Sequence, residues 1–255
     1  MQSFDKLVEI LERLRDPASG CPWDLKQTPL SLIPNFIEEL YECVEAIEEE
    51  DHVSLSEELG DLMLHIVFQC RIAEEERRFT IEDVLNKINS KLVRRHPHVF
   101  AELDIEGADA VKMNWERIKK VEKQDRISVL EGIPRALPGL IYAQRTQEKA
   151  ASVGFDWQDH QPVMDKLHEE IAELNEALEL DDPAKIREEV GDLLFTIVNL
   201  ARKLHMDSET VVKETTRKFT KRFQFIEAHY RNTGEDIHAA SLEELDAVWE
   251  KAKNI

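Results

Sequence analysis

The chain has 255 residues, with 53 acidic side chains against 33 basic ones and a formal net charge of −20. That balance argues against non-specific nucleic-acid binding, which needs a basic surface, and no apolar run is long enough to span a bilayer. Gly and Pro are scarce beside Glu, Leu, Lys and Ala, which favours helix over strand, and 42% hydrophobic residues suffice for a sizeable core. Cys21, Cys43 and Cys70 have no metal-like spacing and read as reduced thiols. With no signal-peptide h-region at the N-terminus, a cytoplasmic location is expected.

In chain order, residues 3–15 predict an amphipathic helix through Phe4, Leu7, Val8, Leu11 and Leu14. It stops at Asp16-Pro17, and a loop follows through Gly20-Cys21-Pro22-Trp23-Asp24. A helical hairpin is expected over roughly 31–77. Its first helix carries Glu38-Glu39-Leu40-Tyr41-Glu42 beside the apolar stripe Phe36, Leu40 and Val44. Its second carries Glu58-Leu59-Gly60-Asp61 beside Leu55, Leu59, Leu62 and Ile66. Ser54 and Glu57 have the spacing of a capping box at the start of that second helix. Thr80 and Asp83 open a further helix, which carries Lys91, Arg94 and Arg95 and ends by His96-Pro97. Residues 101–110 read as loop, Trp115-Glu116-Arg117-Ile118-Lys119 as helix, and 121–138, with Pro134 and Pro138, as an inter-domain connection.

The second half replays this order. Gly154-Phe155-Asp156-Trp157 stands where Gly20 to Trp23 stood. A hairpin over 163–204 carries Glu169-Glu170-Ile171-Ala172-Glu173 and, again after fifteen intervening residues, Glu189-Val190-Gly191-Asp192. Val163, Leu167, Ile171, Leu174 and Leu178 make one stripe, and Ile186, Val190, Leu193 and Ile197 the other. Lys166, Glu170 and Glu173 share a line on the first helix; Lys185, Glu189, Asp192 and Thr196 share one on the second. Asp182 as N-cap with Pro183 at the first helical position makes the break, and so short a break predicts antiparallel packing. A helix opened near Asp207 or Ser208 carries Lys218, Lys221 and Arg222, and Trp249-Glu250-Lys251-Ala252-Lys253 closes the chain. Trp23 and Trp115 are as far apart as Trp157 and Trp249. The chain therefore reads as an all-α tandem duplication: a first domain over 1–120, a linker over 121–138 and a second domain over 139–255, with four-helix-bundle packing.

Folding either hairpin brings four carboxylates together. Like charges at that range repel, and divalent cations with oxygen ligands are the usual remedy. A single E-x-x-E would read as a solvated face, but two hairpins with matched spacing do not. A di-iron bundle needs E-x-x-H on two helices, whereas Asp61 leads to Leu64 and Asp192 to Phe195. Without His, Mg²⁺ is favoured, with Mn²⁺ as the alternative. Lys218, Lys221 and Arg222 read either as a basic helix face or as a clamp on phosphate oxygens. Trp249 reads either as core or as a wall for a nucleobase. His96-x-His98 lies in a helix-ending turn and Glu235-x-x-His238 in a loop, so neither is read as a ligand pair.

E-E-x-x-E, a spacer and E-x-x-D on a helical hairpin resembles the MazG family of nucleoside triphosphate pyrophosphohydrolases. Gly20-Cys21-Pro22-Trp23-Asp24, Arg94-Arg95-His96-Pro97-His98-Val99-Phe100, Val153-Gly154-Phe155-Asp156-Trp157 and Glu189-Val190-Gly191-Asp192-Leu193-Leu194-Phe195 extend the resemblance to the two-domain members of that family. It implies Mg²⁺-dependent hydrolysis of a nucleoside triphosphate, ATP included, to the monophosphate and pyrophosphate, with broad base specificity and a nucleotide-pool house-cleaning or regulatory role. It also implies a homodimer whose bundles are completed across the subunit interface. The matching positions would hold metal at Glu170, Glu173, Glu189 and Asp192. Lys166, Lys185, Glu188, Lys218, Lys221, Arg222 and Trp249 would face the nucleotide; Glu169, with Lys166 beside it, or else a metal ligand with a free oxygen, would take the proton. Glu39, Glu42, Glu58 and Asp61 form a second metal set in a first half expected to be non-catalytic. It lacks the neighbouring cations: Asn35 stands at the place of Lys166, Ser54 at that of Lys185 and Ser56 at that of Arg187. A nucleotide-binding regulator without turnover and a metal-stabilised helical scaffold are the alternatives.

Overall fold

The computed structural model describes residues 2–101, 107, 110, 111, 114, 115, 118, 122 and 127–253. Most of the expected loop at 101–110, most of the helix at Trp115 to Lys119 and most of the start of the 121–138 connection lie outside them. Among the described residues all regular structure is helical. The chain divides into two compact units, Met1–Gln124 and Asp125–Ile255.

In the first unit, α1 (Gln2–Leu14), α2 (Ile33–Glu48), α3 (His52–Glu75), α4 (Ile81–Arg95) and the short α5 (Pro97–Phe100) follow one another. The hairpin α2–α3 is the centre; α1 packs on α3, and α4 follows α3. Leu11, Leu32, Val67, Phe68 and Ile72 are its buried apolar cluster. In the second unit, α6 (Gly139–Ala151), α7 (Gln161–Glu179), α8 (Pro183–Lys203), α9 (Ser208–Thr233) and α10 (Leu242–Ala252) repeat the plan. Here α7 pairs with α8, α6 packs on α8, and α9 packs on α10, around Ile226, Tyr230 and Val248. The sequence reading assigned no helix to 139–151; α6 is the counterpart of α1.

The irregular positions repeat as well. Each hairpin turns through a non-glycine residue with positive φ, Glu50 at 56° and Asp181 at 50°. Each then starts its second helix on an aspartate. Asp182 accepts from the backbone N–H groups of Ala184 and Lys185, and Asp51 from those of Val53 and Ser54. Ser54 is therefore not the N-cap, a correction to the capping box expected there. It is the third helical residue, and its hydroxyl donates to Asp51 Oδ2 at 2.8 Å. A carboxylate at the cap satisfies two orphan N–H groups at once, which displaces the start three residues upstream of the serine. The capping box of Thr80 with Asp83 and the cap at Asp207 stand as expected.

The loop before each hairpin is pinned by an arginine. Arg15 pairs with Glu75 at 2.7 Å and donates to the carbonyl of Asp24. In the second unit Arg202 and Lys203, at the end of α8, hold Asp156, whose carboxyl is pulled down to about 2, mainly by the Arg202 hydrogen bond.

The hairpin stripes differ from expectation in one respect. Phe36, Leu40, Leu59 and Ile66 in the first unit, and Ile171, Leu178, Val190 and Ile197 in the second, are exposed in the single chain. Each hairpin has only enough neighbours of its own to bury one side, through residues such as Val67 and Phe68 or Val163 and Val198.

Candidate active site

The periodicity of α7 puts Glu170 and Glu173 on the side that faces α8, and the short turn at Asp181 brings Glu189 level with them. Carboxylate oxygens of Glu170, Glu173 and Glu189 lie within 4.8 Å of one another. Asp192 stands one turn beyond Glu189 and adds to its negative surroundings. Glu170 is buried, at 4% exposure, whereas Glu173 and Asp192 open to solvent. The Glu189 carboxyl is pushed up, first by desolvation and then by Glu173, Glu170, Glu188 and Asp192. Such a set carries more negative charge than its own neighbours neutralise, and its donors are all hard oxygens, which suits a divalent cation of the Mg²⁺ type.

Lys166, one turn before Glu170, reaches back to it. Its Nζ lies 2.7 Å from Glu170 Oε1 and 2.8 Å from Glu169 Oε1. Those two carboxylates raise its pKa, Glu169 first and Glu170 second. Glu169 itself is exposed beside the set. Lys185 and Glu188 sit exposed in the first turns of α8.

Lys218, Lys221 and Arg222 come together, but elsewhere in the unit. With Glu214, Arg217 and Lys253 they line a cavity of about 470 Å³ between α9 and α10. None of the four carboxylates is among its walls. Trp249 is half-buried beside it: the Arg222 guanidinium lies 5.6 Å from the Trp249 ring, whose other neighbour is Phe219 at 5.1 Å. The packing reading of Trp249 therefore holds, since the ring also lies against the Ile226, Tyr230 and Val248 cluster.

The first unit repeats the carboxylates and changes their surroundings. Glu39, Glu58 and Asp61 have oxygens within 4.8 Å of one another. Desolvation, then Asp61 and Glu42, push up the Glu39 carboxyl; desolvation, then Glu42 and Asp61, push up that of Glu58. The neighbour here is His65, buried, with Nε2 3.9 Å from Glu39 Oε1. Burial lowers its pKa, against the opposing pull of Asp61. Sequence reasoning missed His65 because it looked for histidine three residues after the acid. Asp61 and His65 are four apart, which on a helix is the same face.

The basic positions of the first unit are also answered internally. Glu122 accepts from Arg94 at 2.7 Å and from Arg95 at 2.5 and 3.0 Å, and the two guanidiniums, Arg95 first, bring its carboxyl down to about 2. Arg95 is the counterpart of Arg222.

Comparison with known proteins agrees with this duplication. The MazG nucleotide pyrophosphohydrolase domain matches twice, at residues 27–100 and 158–224. A nucleoside triphosphate pyrophosphohydrolase of Escherichia coli K12 is 44% identical over 257 aligned positions, covering 99% of this chain and 98% of that protein. The nucleoside triphosphate pyrophosphohydrolase/pyrophosphatase MazG of Thermotoga maritima is 47% identical over 251, covering 98% and 95%. A solved mazG-related protein from Thermotoga maritima, 30% identical, covers 46% of this chain and 98% of its own, with a TM-score of 0.40.

Proposed function

The chain belongs to the MazG nucleotide pyrophosphohydrolase family, and on that premise we propose that it hydrolyses nucleoside triphosphates to the monophosphate and pyrophosphate at the carboxylates of α7 and α8. The observation that carries this reading is the convergence of Glu170, Glu173 and Glu189 within 4.8 Å with Lys166 bound to their edge. A scaffold would need neither a crowded carboxylate set nor a cation bridging it to an exposed glutamate.

Glu170, Glu173, Glu189 and Asp192 would hold Mg²⁺, or Mn²⁺ in its place. When bound, the ion supplies charge neutralisation for the phosphate oxygens and acidifies a nearby water. Glu169 takes the proton of the water whose oxygen attacks the α-phosphorus, and the bond to the β-phosphate oxygen breaks, releasing pyrophosphate. Lys166 fixes the position of Glu169 relative to Glu170. Lys185 and Glu188 contact the nucleotide beside the carboxylates, while Lys218, Lys221 and Arg222, whose cavity has none of the four carboxylates in its walls, and Trp249 next to Arg222 are assigned to the nucleotide away from the metal. Stacking tolerates every base, so broad specificity follows, ATP included, as suits a cytoplasmic house-cleaning or regulatory enzyme.

The assembly we infer is a homodimer. The outer side of each hairpin is apolar and exposed, and the helix-interior Gly60 and Gly191 face open space, where a Cβ would meet nothing within 4 Å. Glycine weakens a helix, and no crowding among the described residues requires it at either position. A second copy laid on this side would complete the bundles and bury the stripes.

In the first unit the carboxylates recur, but Asn35 replaces Lys166 and Glu122 occupies the arginines. We assign it little or no turnover. The decisive experiment is incubation with each triphosphate and Mg²⁺, with the products identified by ³¹P NMR. Pyrophosphate with monophosphate is expected. Orthophosphate with diphosphate would mean a different bond is cut, and tight binding without products would favour a regulator.

A further inference from the structure

We propose that Arg94 and Arg95, with Lys91 beside them, form a phosphate-binding site in the first unit that Glu122 closes with its own carboxylate. A phosphate chain, free or carried by a nucleotide, opens the site by taking the place of that carboxylate. The inference rests on reading Lys218, Lys221 and Arg222 as a phosphate clamp. It adds a second anion site, in the unit assigned little or no turnover, and names the group that guards it.

The duplication supplies the first observation. Lys91, Arg94 and Arg95 stand at the places of Lys218, Lys221 and Arg222, so all three positions keep a cation. The same unit has no cation at the places beside its carboxylates, where Asn35, Ser54 and Ser56 stand. Positive charge is thus absent where a substrate would meet the metal set and present where a phosphate would be held. Lys91, Arg94 and Arg95 are i, i+3 and i+4 on α4 and share one side of it. The tryptophan keeps its place as well. Trp115 lies 5.9 Å from His96, the residue next to Arg95, and its counterpart Trp249 lies against Arg222 itself.

What fills the two places differs. In the second unit the three cations line a cavity of about 470 Å³. In the first, Glu122 lies across the arginines. Its Oε1 accepts from Arg94 Nε at 2.7 Å, and its Oε2 from Arg95 Nε at 3.0 Å and Nη2 at 2.5 Å. Each oxygen is taken by a different guanidinium. Guanidinium forks hold carboxylate and phosphate in the same way, and a phosphoryl group brings a further oxygen and more charge. The site also has an open side. The side chain of Arg94 is 58% exposed, against 11% for Arg95 and 17% for Glu122. An incoming anion therefore meets Arg94 before Glu122 has left. An ion pair so open on one side adds little to stability as a mere tie.

The test is titration of the full chain with pyrophosphate, without metal, followed by the side-chain Nε–H resonances of Arg94 and Arg95 in ¹⁵N-labelled protein. Arg94→Lys and Arg95→Lys each remove one resonance and so assign them. Pyrophosphate is expected to move both resonances in the wild type, and to do so at about 10-fold lower concentration in Glu122→Gln, where a like charge no longer competes. Arg95→Met should abolish the shift at Arg94. If circular dichroism shows that variant unfolded, Arg95→Lys decides, since it keeps the charge but loses the fork and should weaken binding. A parallel titration with an α,β-methylene nucleoside triphosphate separates the sources. Shifts with pyrophosphate alone assign the site to a free phosphate chain, and shifts with both assign it to any phosphate chain. The proposal is overturned if pyrophosphate moves neither resonance, if Glu122→Gln binds no more tightly than the wild type, or if the Arg94 shift is unchanged in the folded Arg95 variant. No metal and no turnover enter this measurement. Absence of Mg²⁺-dependent pyrophosphate release would therefore overturn the proposed reaction alone, and turnover without these shifts would overturn this inference alone.

Discussion

Lys166 Nζ lies 2.7 Å from Oε1 of Glu170, the most buried member of the carboxylate set, and in the same position reaches the exposed Glu169. One cation therefore ties an inner metal-facing carboxylate to the outer one assigned as base. The two ion pairs taken singly resemble ordinary helix-surface pairs, worth only about 0.2–0.5 kcal/mol each. Their weight lies in fixing geometry at a reacting centre.

Lys166→Met is expected to lower kcat by about 10- to 100-fold, the scale of a misplacement near 1 Å at a reacting group, while leaving the melting temperature nearly unchanged. Lys166→Arg should recover part of the loss. Steady-state kinetics with thermal melts checks both. An unchanged kcat in Lys166→Met would reduce the lysine to a surface ion pair.

Metal holding and phosphate holding should separate. Asp192→Asn removes a carboxylate next to Glu189 and is expected to abolish turnover at all Mg²⁺ concentrations tried. Arg222→Ala removes a guanidinium from the cavity wall and from the Trp249 ring, and should raise KM by about 10-fold with a smaller change in kcat. Normal turnover by Asp192→Asn at low Mg²⁺ would sink the metal assignment.

Stability without added metal should have two limbs in pH. Glu39, Glu58 and Glu189 have folded pKa values above the ordinary 4.5. Their protonation is favoured in the folded state, so stability is fully present below the unfolded value and falls as pH rises through the folded ones. Asp156 and Glu122 go the other way, from 3.8 and 4.5 to about 2. Their contribution is present above the unfolded values and lost as pH falls toward 2. The melting temperature should therefore peak in mild acid, and saturating Mg²⁺ should lift the neutral side by mass action. A metal-free protein most stable well above neutral pH would contradict the crowding of these carboxylates.

What the sequence disclosed is what local chemistry controls. The periods of the hairpins, the caps at Thr80, Asp182 and Asp207, and the duplication follow from near-neighbour spacing, so they were readable. The cap at Asp51 was missed although Asp182 had been read correctly, because Ser54 with Glu57 matched a motif and the duplication was not used against it. α6 was missed because 139–151 has little apolar periodicity; its Gln144 and Gln147 hold it through the carbonyls of Met206 and Phe195, contacts distant in sequence. His65, the distance between the basic cavity and the carboxylates, and Glu122 on Arg94 and Arg95 all depend on tertiary placement, which no spacing encodes.

Glu122→Gln should release the first unit's arginines. Wild type and variant would be compared by inorganic phosphate binding, with the second-unit cation removed in both through Arg222→Ala. Tighter phosphate binding in the Glu122→Gln background is expected, without any gain in pyrophosphate release, because Asn35 still stands where Lys166 would be. No change in phosphate binding would show that Glu122 does not mask a site.

The carboxylates of the two units match residue for residue, so any asymmetry between them must come from the cations around each set. A substrate–metal complex remains anionic, and approach to four carboxylates without nearby cations is disfavoured electrostatically. The second unit offers Lys166 at the set and Lys185 nearby; the first offers Asn35 and Ser54, and its Arg94 and Arg95 are already engaged by Glu122. In the full chain, Glu189→Gln should therefore abolish pyrophosphate release, while Glu58→Gln should keep most of it. Both substitutions remove one charge from a crowded set, so neither should unfold the protein, and both may be checked by helicity and by the oligomer seen in solution. Equal loss in the two variants would mean that both units turn over or that the first is required to build the second. The cation decides between these: placing lysine at Asn35 in Glu189→Gln restores activity only if the first unit has a competent site that lacks nothing else. No recovery is expected, since Glu122 still holds the arginines; recovery would show that Lys166 alone separates the two halves.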